Sequence, residues 1–224
     1  MTVNGREIRI RLYATDATAV TSPITVSTSY DPQGTMLPTG AADDGEVEDY
    51  ALTIENDVYL RGTASDDTVR IWPGTPGVAQ HRVQFNGVDS YFDASVYDAI
   101  YVDGLSGTDT LNVYGKATVE NAAFNGTSAH VSESTVYDAY GQNFENIYVF
   151  GGGGVDAAQM LGSTGNDNFY IKDSYSYLRG NNNAFLNYAG AFNHVSANVF
   201  ESGGTDTTYA YDSVNDDIVI AGET

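Results

Sequence analysis

Residues 100–109, with the sequence IYVDGLSGTD, join an alternating apolar segment to a glycine-rich turn that closes on an aspartate. Ile100 and Val102 alternate with Tyr101, and this period of two predicts a β-strand with one buried face. The closing aspartates of the repeats lie 42, 47 and 50 residues apart, a recurrence typical of repeat architectures. The other three copies align without gaps at residues 58–67 (VYLRGTASDD), 147–156 (IYVFGGGGVD) and 197–206 (ANVFESGGTD).

A second turn from glycine or aspartate to an acid follows 11 residues after the first in three copies, from Gly115 to Glu120, Gly162 to Asp167 and Asp212 to Asp217. Strands and turns in this order predict an all-β fold, a right-handed parallel β-solenoid in which each repeat supplies about two rungs. Like residues would then stack as an apolar ladder inside, a tyrosine ladder outside and an aspartate column at a corner. Because each copy can also form a hairpin, an antiparallel β-sandwich is the alternative.

The composition limits the classes of function. The chain has 30 acidic and 9 basic residues, a formal net charge of −21, so nucleic acid and anionic membrane surfaces would be repelled. It has no cysteine, which excludes disulfides and thiolate metal sites. No apolar run is long enough for membrane insertion, and residues 1–6 lack the apolar segment of a signal peptide. If the protein is secreted, its signal lies elsewhere or has been removed.

Residues 1–55 are predicted to form a small β-rich unit ahead of a Gly-Asp repeat domain at residues 57–224. Residues 45–50 read GEVEDY and precede the apolar strand pattern ALTI at residues 51–54. About residues 24–54 resemble the C-terminal part of a GEVED domain, a module of large secreted bacterial proteins. The resemblance implies an extracellular or cell-surface location. The local acids either hold a cation or form an acidic turn that caps a strand: Asp43, Glu46, Glu48 and Asp49.

The turns of the repeat domain resemble the calcium-binding nonapeptide of RTX, or hemolysin-type, proteins, G-G-x-G-x-D-x-U-x with U a large apolar residue. The three best matches are residues 104–112 (GLSGTDTLN), 151–159 (GGGGVDAAQ) and 162–170 (GSTGNDNFY). The resemblance implies a bound calcium ion, Ca²⁺, with ligands among Asp67, Asp109, Asp156, Asp167, Asp206 and Asp217. The alternative is that these side chains hydrogen-bond within their own turns and stack at a corner. The turns here do not run in unbroken tandem, as they do in that family.

Motifs of enzymes are missing from the sequence. His81, His130 and His194 are scattered and stand in no H-E-x-x-H context, and no G-x-S-x-G nucleophile motif occurs. A polysaccharide-acting β-solenoid enzyme (a lyase or hydrolase) or a carbohydrate-binding module remains the alternative function. The predicted outward column of Tyr59, Tyr101 and Tyr148 would either offer aromatic faces to sugar rings or stiffen the sheet.

Together these features predict a non-catalytic extracellular structural or adhesive repeat module of a bacterial surface or matrix protein, stabilised by calcium if the turns bind it. The expected partners are neighbouring modules of the same polypeptide or further copies of the chain, with a surface polysaccharide as a further candidate. Nucleic-acid binding and membrane insertion are not expected.

Overall fold

The computed structural model describes residues 57–134, 136–199 and 204–211, together with two short strands near the N-terminus, β1 (Thr2–Val3) and β2 (Arg6–Glu7), which pair antiparallel. The chain divides into two units, Met1–Ala51 and Leu52–Thr224. The second unit contains the repeats. The predicted boundary between residues 55 and 57 and the GEVED-like segment lie outside the described residues.

The described part of the second unit consists of short strands joined by turns, with a single 3₁₀ turn at Asn181–Asn183. The strands are β3 (Asp57–Arg61), β4 (Thr68–Trp72), β5 (His81–Phe85), β6 (Val88–Phe92), β7 (Ala99–Asp103), β8 (Thr110–Tyr114), β9 (Asn121–Asn125), β10 (Ser128–Glu133), β11 (Tyr137–Gln142), β12 (Asn146–Phe150), β13 (Ala157–Leu161), β14 (Asn168–Ile171), β15 (Tyr175–Arg179), β16 (Leu186–Gly190), β17 (His194–Asn198) and β18 (Thr207–Ala210).

These strands form two sheets that stack as coils. The first sheet has the order β17-β13-β9-β10-β11-β7-β3, and the second has the order β18-β14-β15-β16-β12-β8-β4-β5-β6. Strands of successive coils pair in parallel, as β3, β7 and β11 do in the first sheet and β4, β8 and β12 do in the second. The result is a β-solenoid of about four turns, which confirms the predicted fold class.

The solenoid is not purely parallel, because three meanders are inserted within the sheets. The strands β4-β5-β6, β9-β10-β11 and β14-β15-β16 each run antiparallel to their neighbours in the meander. These meanders account for most of the residues between successive copies of the sequence repeat.

One core fills the space between the two sheets. In the first sheet the inward row runs through Val58, Ile100, Ala139, Val131, Ala122 and Ala158. The corresponding row of the second sheet runs through Val69, Leu111, Ile147, Asn187, Leu178 and Phe169, all of them buried. The predicted apolar ladder is therefore present, and it has one polar member. Asn187 is fully buried, and neither side-chain polar atom has a hydrogen-bond partner.

Aromatic side chains stack in rows on the outer faces of both sheets. Tyr59 and Tyr101 stack with ring centroids 4.9 Å apart, as predicted from their positions in the repeat. Tyr148 does not continue this column, because β12 lies in the second sheet, where Tyr148 contacts Tyr188. The next place in the first sheet is taken by Tyr140 of β11, at 4.5 Å from Tyr101. The prediction of one tyrosine column was wrong at Tyr148 because the β9–β11 meander displaces the third repeat copy.

Candidate functional site in the acid corners and aromatic faces

Three of the glycine-to-acid turns are closed by their own acid, at Asp67, Glu120 and Asp167. The Asp67 carboxylate accepts a hydrogen bond of 2.6 Å from the backbone N–H of Thr63 and one of 3.1 Å from the Thr63 hydroxyl. Asp167 repeats the arrangement with the backbone N–H and hydroxyl of Ser163, at 2.5 and 2.9 Å. Side-chain acceptors that satisfy turn N–H groups favour this local conformation over an extended one.

The same acids connect one coil to the next. The backbone N–H of Asp67 donates to Oδ1 of Asp109 at 2.7 Å, and the N–H of Asp109 donates to Oε2 of Glu145 at 2.8 Å. Their carbonyl oxygens accept N–H groups from the following coils, Thr110 on Asp67 and Asn146 on Asp109. The backbone hydrogen-bond ladder of the parallel strands therefore continues through the corner, with a carboxylate as the added acceptor.

Two further corners are built in the same way. Glu120 donates its backbone N–H to Oδ1 of Asp156 at 2.9 Å, and Asp156 donates to Oδ1 of Asn193 at 2.8 Å. At the third corner the N–H of Asp167 donates to Oδ1 of Asp206 at 2.8 Å. The single aspartate column expected from the repeat alignment is therefore three columns, and Asp109 and Asp156 stand in different ones. We call the three sets the corner columns.

Glycine is required where the coils approach each other most closely. A Cβ added to Gly104 would collide with the carbonyl oxygen of Asn143 in the next coil and lie 2.8 Å from Oδ2 of Asp109. Four glycines stand five residues before a corner acid and face its carboxylate in this way: Gly62, Gly104, Gly115 and Gly151. The five-residue spacing from glycine to acid is therefore required because the carboxylate packs where a Cβ of the first residue would stand.

The turn motif did not reveal every member of the corner columns. Glu145 and Asn193 accept the same hydrogen bonds as the aspartates, yet neither is preceded by a glycine-rich turn. A simpler signal identifies them, since every corner residue is the last residue before a strand: Asp67, Asp109, Glu145, Glu120, Asp156, Asn193, Asp167 and Asp206.

The predicted calcium ligands fall into two groups. Five of the repeat aspartates occupy the corner columns, where Asp67, Asp109, Asp156 and Asp167 are buried and Asp206 is half-buried. Among the residues that the structure describes, no group of three or more Asp, Glu or His side chains is arranged to hold a metal ion. The remaining predicted ligands lie outside the described residues: Asp43, Glu46, Glu48, Asp49 and Asp217.

Three corner acids keep one buried oxygen without a hydrogen-bond donor, namely Oδ2 of Asp109, Oδ2 of Asp156 and Oε2 of Glu120. Burial, together with the nearby Asp156 carboxylate, raises the pKa of Glu120 to about 7. Burial also raises the pKa of Asp109. At Asp67 burial acts in the same direction, but the hydrogen bonds from Thr63 and Asn86 outweigh it and lower the pKa of Asp67. Burial thus raises the pKa of Glu120 and Asp109, whereas hydrogen-bond donors lower that of Asp67.

The surroundings of Glu120 are polar but poor in donors. The Tyr137 hydroxyl is buried without a hydrogen-bond partner, and burial together with the Glu120 charge raises the pKa of Tyr137. Lys116 forms an ion pair with Glu133 and donates to the carbonyl oxygen of Gly74 at 3.2 Å. The ammonium group of Lys116 is thus committed to other partners, and Glu120 and Asp156 are left to share the second corner.

The outer face of the first sheet carries a groove of about 790 Å³. One wall is a row of stacked rings, Tyr59, Tyr101, Tyr140 and His130, whose planes lie within 9° of their neighbours. The lining also includes polar side chains of the same sheet, among them Asn125, Ser128 and Gln142. Tyr59 and Tyr101 of the predicted ligand-binding set line this groove, and Tyr148 is on the other sheet.

Comparison of the chain with protein-family models, with curated proteins and with solved structures finds no match. In the part of the chain that the structure describes, no helix has the length and apolar character needed to cross a bilayer.

Proposed function

We propose that this chain is a non-catalytic, extracellular structural and adhesive repeat module of a bacterial surface or matrix protein. The supporting observation is the use made of its acids. The acids that follow the glycine turns of the repeats lie in the corner columns, most of them buried, and accept backbone N–H groups. A carboxylate held there contributes to stability and lies out of reach of a substrate.

The extracellular part of the proposal rests on the sequence resemblances. The GEVED-like and RTX-like segments are typical of large secreted bacterial proteins, and a chain without cysteine is compatible with that setting. The adhesive part rests on the exposed aromatic rows and on the groove beside one of them. Aromatic side chains contribute much of the binding energy at protein interfaces.

Neighbouring modules or further copies of the chain are the proposed partners. Among the described strands, β3 and β17 end the first sheet, and β6 and β18 end the second. The end strands of a stacked repeat can pair with another module, as terminal repeats do in solenoids. We therefore expect the module to act in an array, with its sheets continued or covered by adjacent chain.

Incubation with polysaccharides tests the non-catalytic assignment. The purified chain, mixed separately with neutral and uronic-acid polysaccharides, should release neither new reducing ends nor unsaturated products. Formation of either product would contradict the proposal. Asp109→Ala and Asp156→Ala should then be compared, because a product that persists in both variants would place the chemistry outside the corner columns.

Calcium stabilisation is a separate part of the proposal. Calcium requires six to eight oxygen ligands, and the described carboxylates come closest to this need at Glu120 and Asp156, where two buried oxygens lack donors. Because a ligand that binds only the folded state stabilises it, millimolar calcium should raise the midpoint of thermal unfolding above that in chelator. Equal midpoints in calcium and in chelator would remove calcium from the proposal.

A further inference from the structure

The row of rings on the first sheet stops at β10, and the three strands beyond it, β9, β13 and β17, carry no ring in register. His130 of β10 stacks on Tyr140 with centroids 4.1 Å apart and planes within 7° of each other. The next residue in register is Ala123 of β9, and the one after that is Gln159 of β13. A methyl group therefore occupies the place where a fifth ring would stand. We call the space over Ala123, between His130 and Gln159, the ring gap.

The ring gap has the width of one ring. Neighbouring strands lie about 4.8 Å apart, so His130 and Gln159, two strands apart, are separated by about 9.6 Å. The rings of the ladder are spaced at 4.1 to 4.9 Å, so one further ring fits between the imidazole and the Gln159 amide. The imidazole is accessible, since 39% of the His130 side chain is exposed, and Ala123 and Gln159 are exposed as well.

The orientation of His130 is fixed before any ligand arrives. Its Nε2 lies 2.6 Å from Oδ1 of Asp138, and Tyr140 covers one face of the imidazole. The face toward Ala123 is thus held parallel to the ladder. A preorganised aromatic face binds a ring with less loss of conformational entropy than a mobile one.

From this geometry we infer that the ring gap binds one pyranose ring of a neutral glycan. The C–H face of the sugar lies on the His130 imidazole, and its hydroxyls reach the side chains of Gln159, Asn125 and Ser128, which line the same groove. Amide and hydroxyl groups both donate and accept hydrogen bonds, as sugar hydroxyls require. The inference rests on the adhesive part of the proposed function and names its ligand.

Charge and shape select a neutral polymer as the occupant. The net charge of −21 repels anionic polymers, uronic-acid chains among them. The groove extends past the ring gap along the whole ladder to Arg61 and Asp103, so a chain of sugars can lie along it. A flat hydrocarbon ring in the ring gap would offer no hydrogen-bonding groups to the amides of Gln159 and Asn125, whereas a sugar ring does.

The test is calorimetric titration of the full chain with cellohexaose, maltohexaose and mannohexaose, and with hexagalacturonate as the anionic probe. At least one neutral hexasaccharide should bind, and hexagalacturonate should not. Ala123→Tyr supplies the missing ring from the protein itself and should abolish binding while the folded state melts at the same or a higher temperature. Asn112→Tyr is the matched control, because it adds a ring beside Tyr148 on the other sheet and should leave binding unchanged.

His130→Ala keeps the test decisive if Ala123→Tyr fails to fold. Loss of one aromatic stacking partner at this exposed position should weaken glycan binding about tenfold. Binding by none of the three neutral hexasaccharides would overturn the inference, and so would glycan binding that Ala123→Tyr leaves intact. Tight binding of phenol in place of sugars would overturn the glycan assignment. The incubation with polysaccharides that tests the non-catalytic role does not depend on these results. Failure of the glycan inference can therefore be distinguished from failure of the proposed function.

Discussion

The corner acids combine two tasks that are usually divided among several residues. Asp109 accepts the backbone N–H of Asp67 from the preceding coil, while its own carbonyl oxygen accepts the N–H of Asn146 from the following coil. Removing the side chain therefore leaves a buried N–H without an acceptor. An unsatisfied buried donor costs more free energy than the net value of the hydrogen bond that it lost.

Asp109→Ala should accordingly lower the free energy of unfolding by about 1 to 3 kcal/mol. Asp173→Ala is the control, since Asp173 is exposed and such substitutions usually change stability by no more than about 0.5 kcal/mol. Chemical denaturation of the two variants measures the difference. Equal stability of both variants would mean that the Asp109 carboxylate does not hold the coils together.

Glu120 predicts a dependence of stability on pH with a definite sign. Its folded-state pKa of about 7 lies above its ordinary value of 4.5, so the folded state holds the proton more tightly. The resulting stabilisation is complete below pH 4.5 and is lost as the pH rises through 7. Glu120→Gln, which resembles the protonated acid, should therefore be more stable than the wild type at pH 8 and equal to it at pH 4.

Urea unfolding of both proteins at pH 4, 6 and 8 checks this prediction, and the difference between them removes the contribution of the other carboxylates. If Glu120→Gln is instead less stable than the wild type at pH 8, the ionised carboxylate is the stabilising form. That result would favour a bound cation at Glu120 and Asp156, and calcium should then stabilise the wild type but not the variant.

Residue by residue, the sequence predicted the acids that follow a glycine and missed those that do not. Asp67, Asp109, Asp156 and Asp167 were identified because a glycine-rich turn marks them. Asn193 was not, because the corner before β17 is closed without that turn. Hydrogen bonding to a partner 37 residues away leaves no trace in local sequence, so only the position just before a strand could have revealed it.

At the level of elements, the strands were predictable from period-two alternation and their partners were not. The segment at 147–149 has the same pattern as the one at 100–102, yet β12 lies in the second sheet and β7 in the first. Alternation identifies which side chains point inward, whereas the sheet that a strand joins depends on how many strands the preceding insertion adds. Between β7 and β12 the chain adds β8 to the second sheet and the β9–β11 meander to the first, so β12 returns to the second sheet.

The turns that join these elements predict a contrast between two glycines. Gly104→Ala should destabilise by about 2 to 3 kcal/mol, because the added methyl group collides with the backbone of the next coil. Gly126→Ala should cost about 1 kcal/mol, because Gly126 has a φ of +58° but a Cβ there meets nothing within 4 Å. Thermal unfolding of both variants compares the two costs. A larger loss in Gly126→Ala would contradict the close packing of the corners.

For the whole molecule, the acidic composition has both a structural and an electrostatic consequence. Part of the net charge of −21 is buried at the corners, where hydrogen bonds stabilise Asp67 in its ionised form and burial favours the proton on Glu120. The remaining acids repel one another across the surface and repel anionic partners. The module thus combines interior corners that hold the coils together with an exterior suited to neutral ligands.

The fold class could be predicted from the sequence because the repeats encode it directly. Strand, glycine turn and acid recur in one order, and stacking such units buries a continuous core. The number of corner columns and the course of the ring ladder could not be predicted, since both depend on long-range register. Tyr140 joins the ladder of Tyr59 and Tyr101 through the pairing of β11 with β7, which is distant in sequence, and His130 follows because β10 pairs with β11.

Amide hydrogen exchange measured by NMR tests the central claim, that carboxylate corners hold the coils together. The corner amides should exchange as slowly as those of the central strands, because each is buried and bonded to a carboxylate or amide oxygen of the adjacent coil. The amide of Thr108 donates to Oδ1 of Asp66 at 2.8 Å in an exposed turn, so it should exchange faster than the buried corner amides. The account would be contradicted if the corner amides exchanged as fast as the amide of Thr108. The corner amides are those of Asp67, Asp109, Glu120, Asp156 and Asp167.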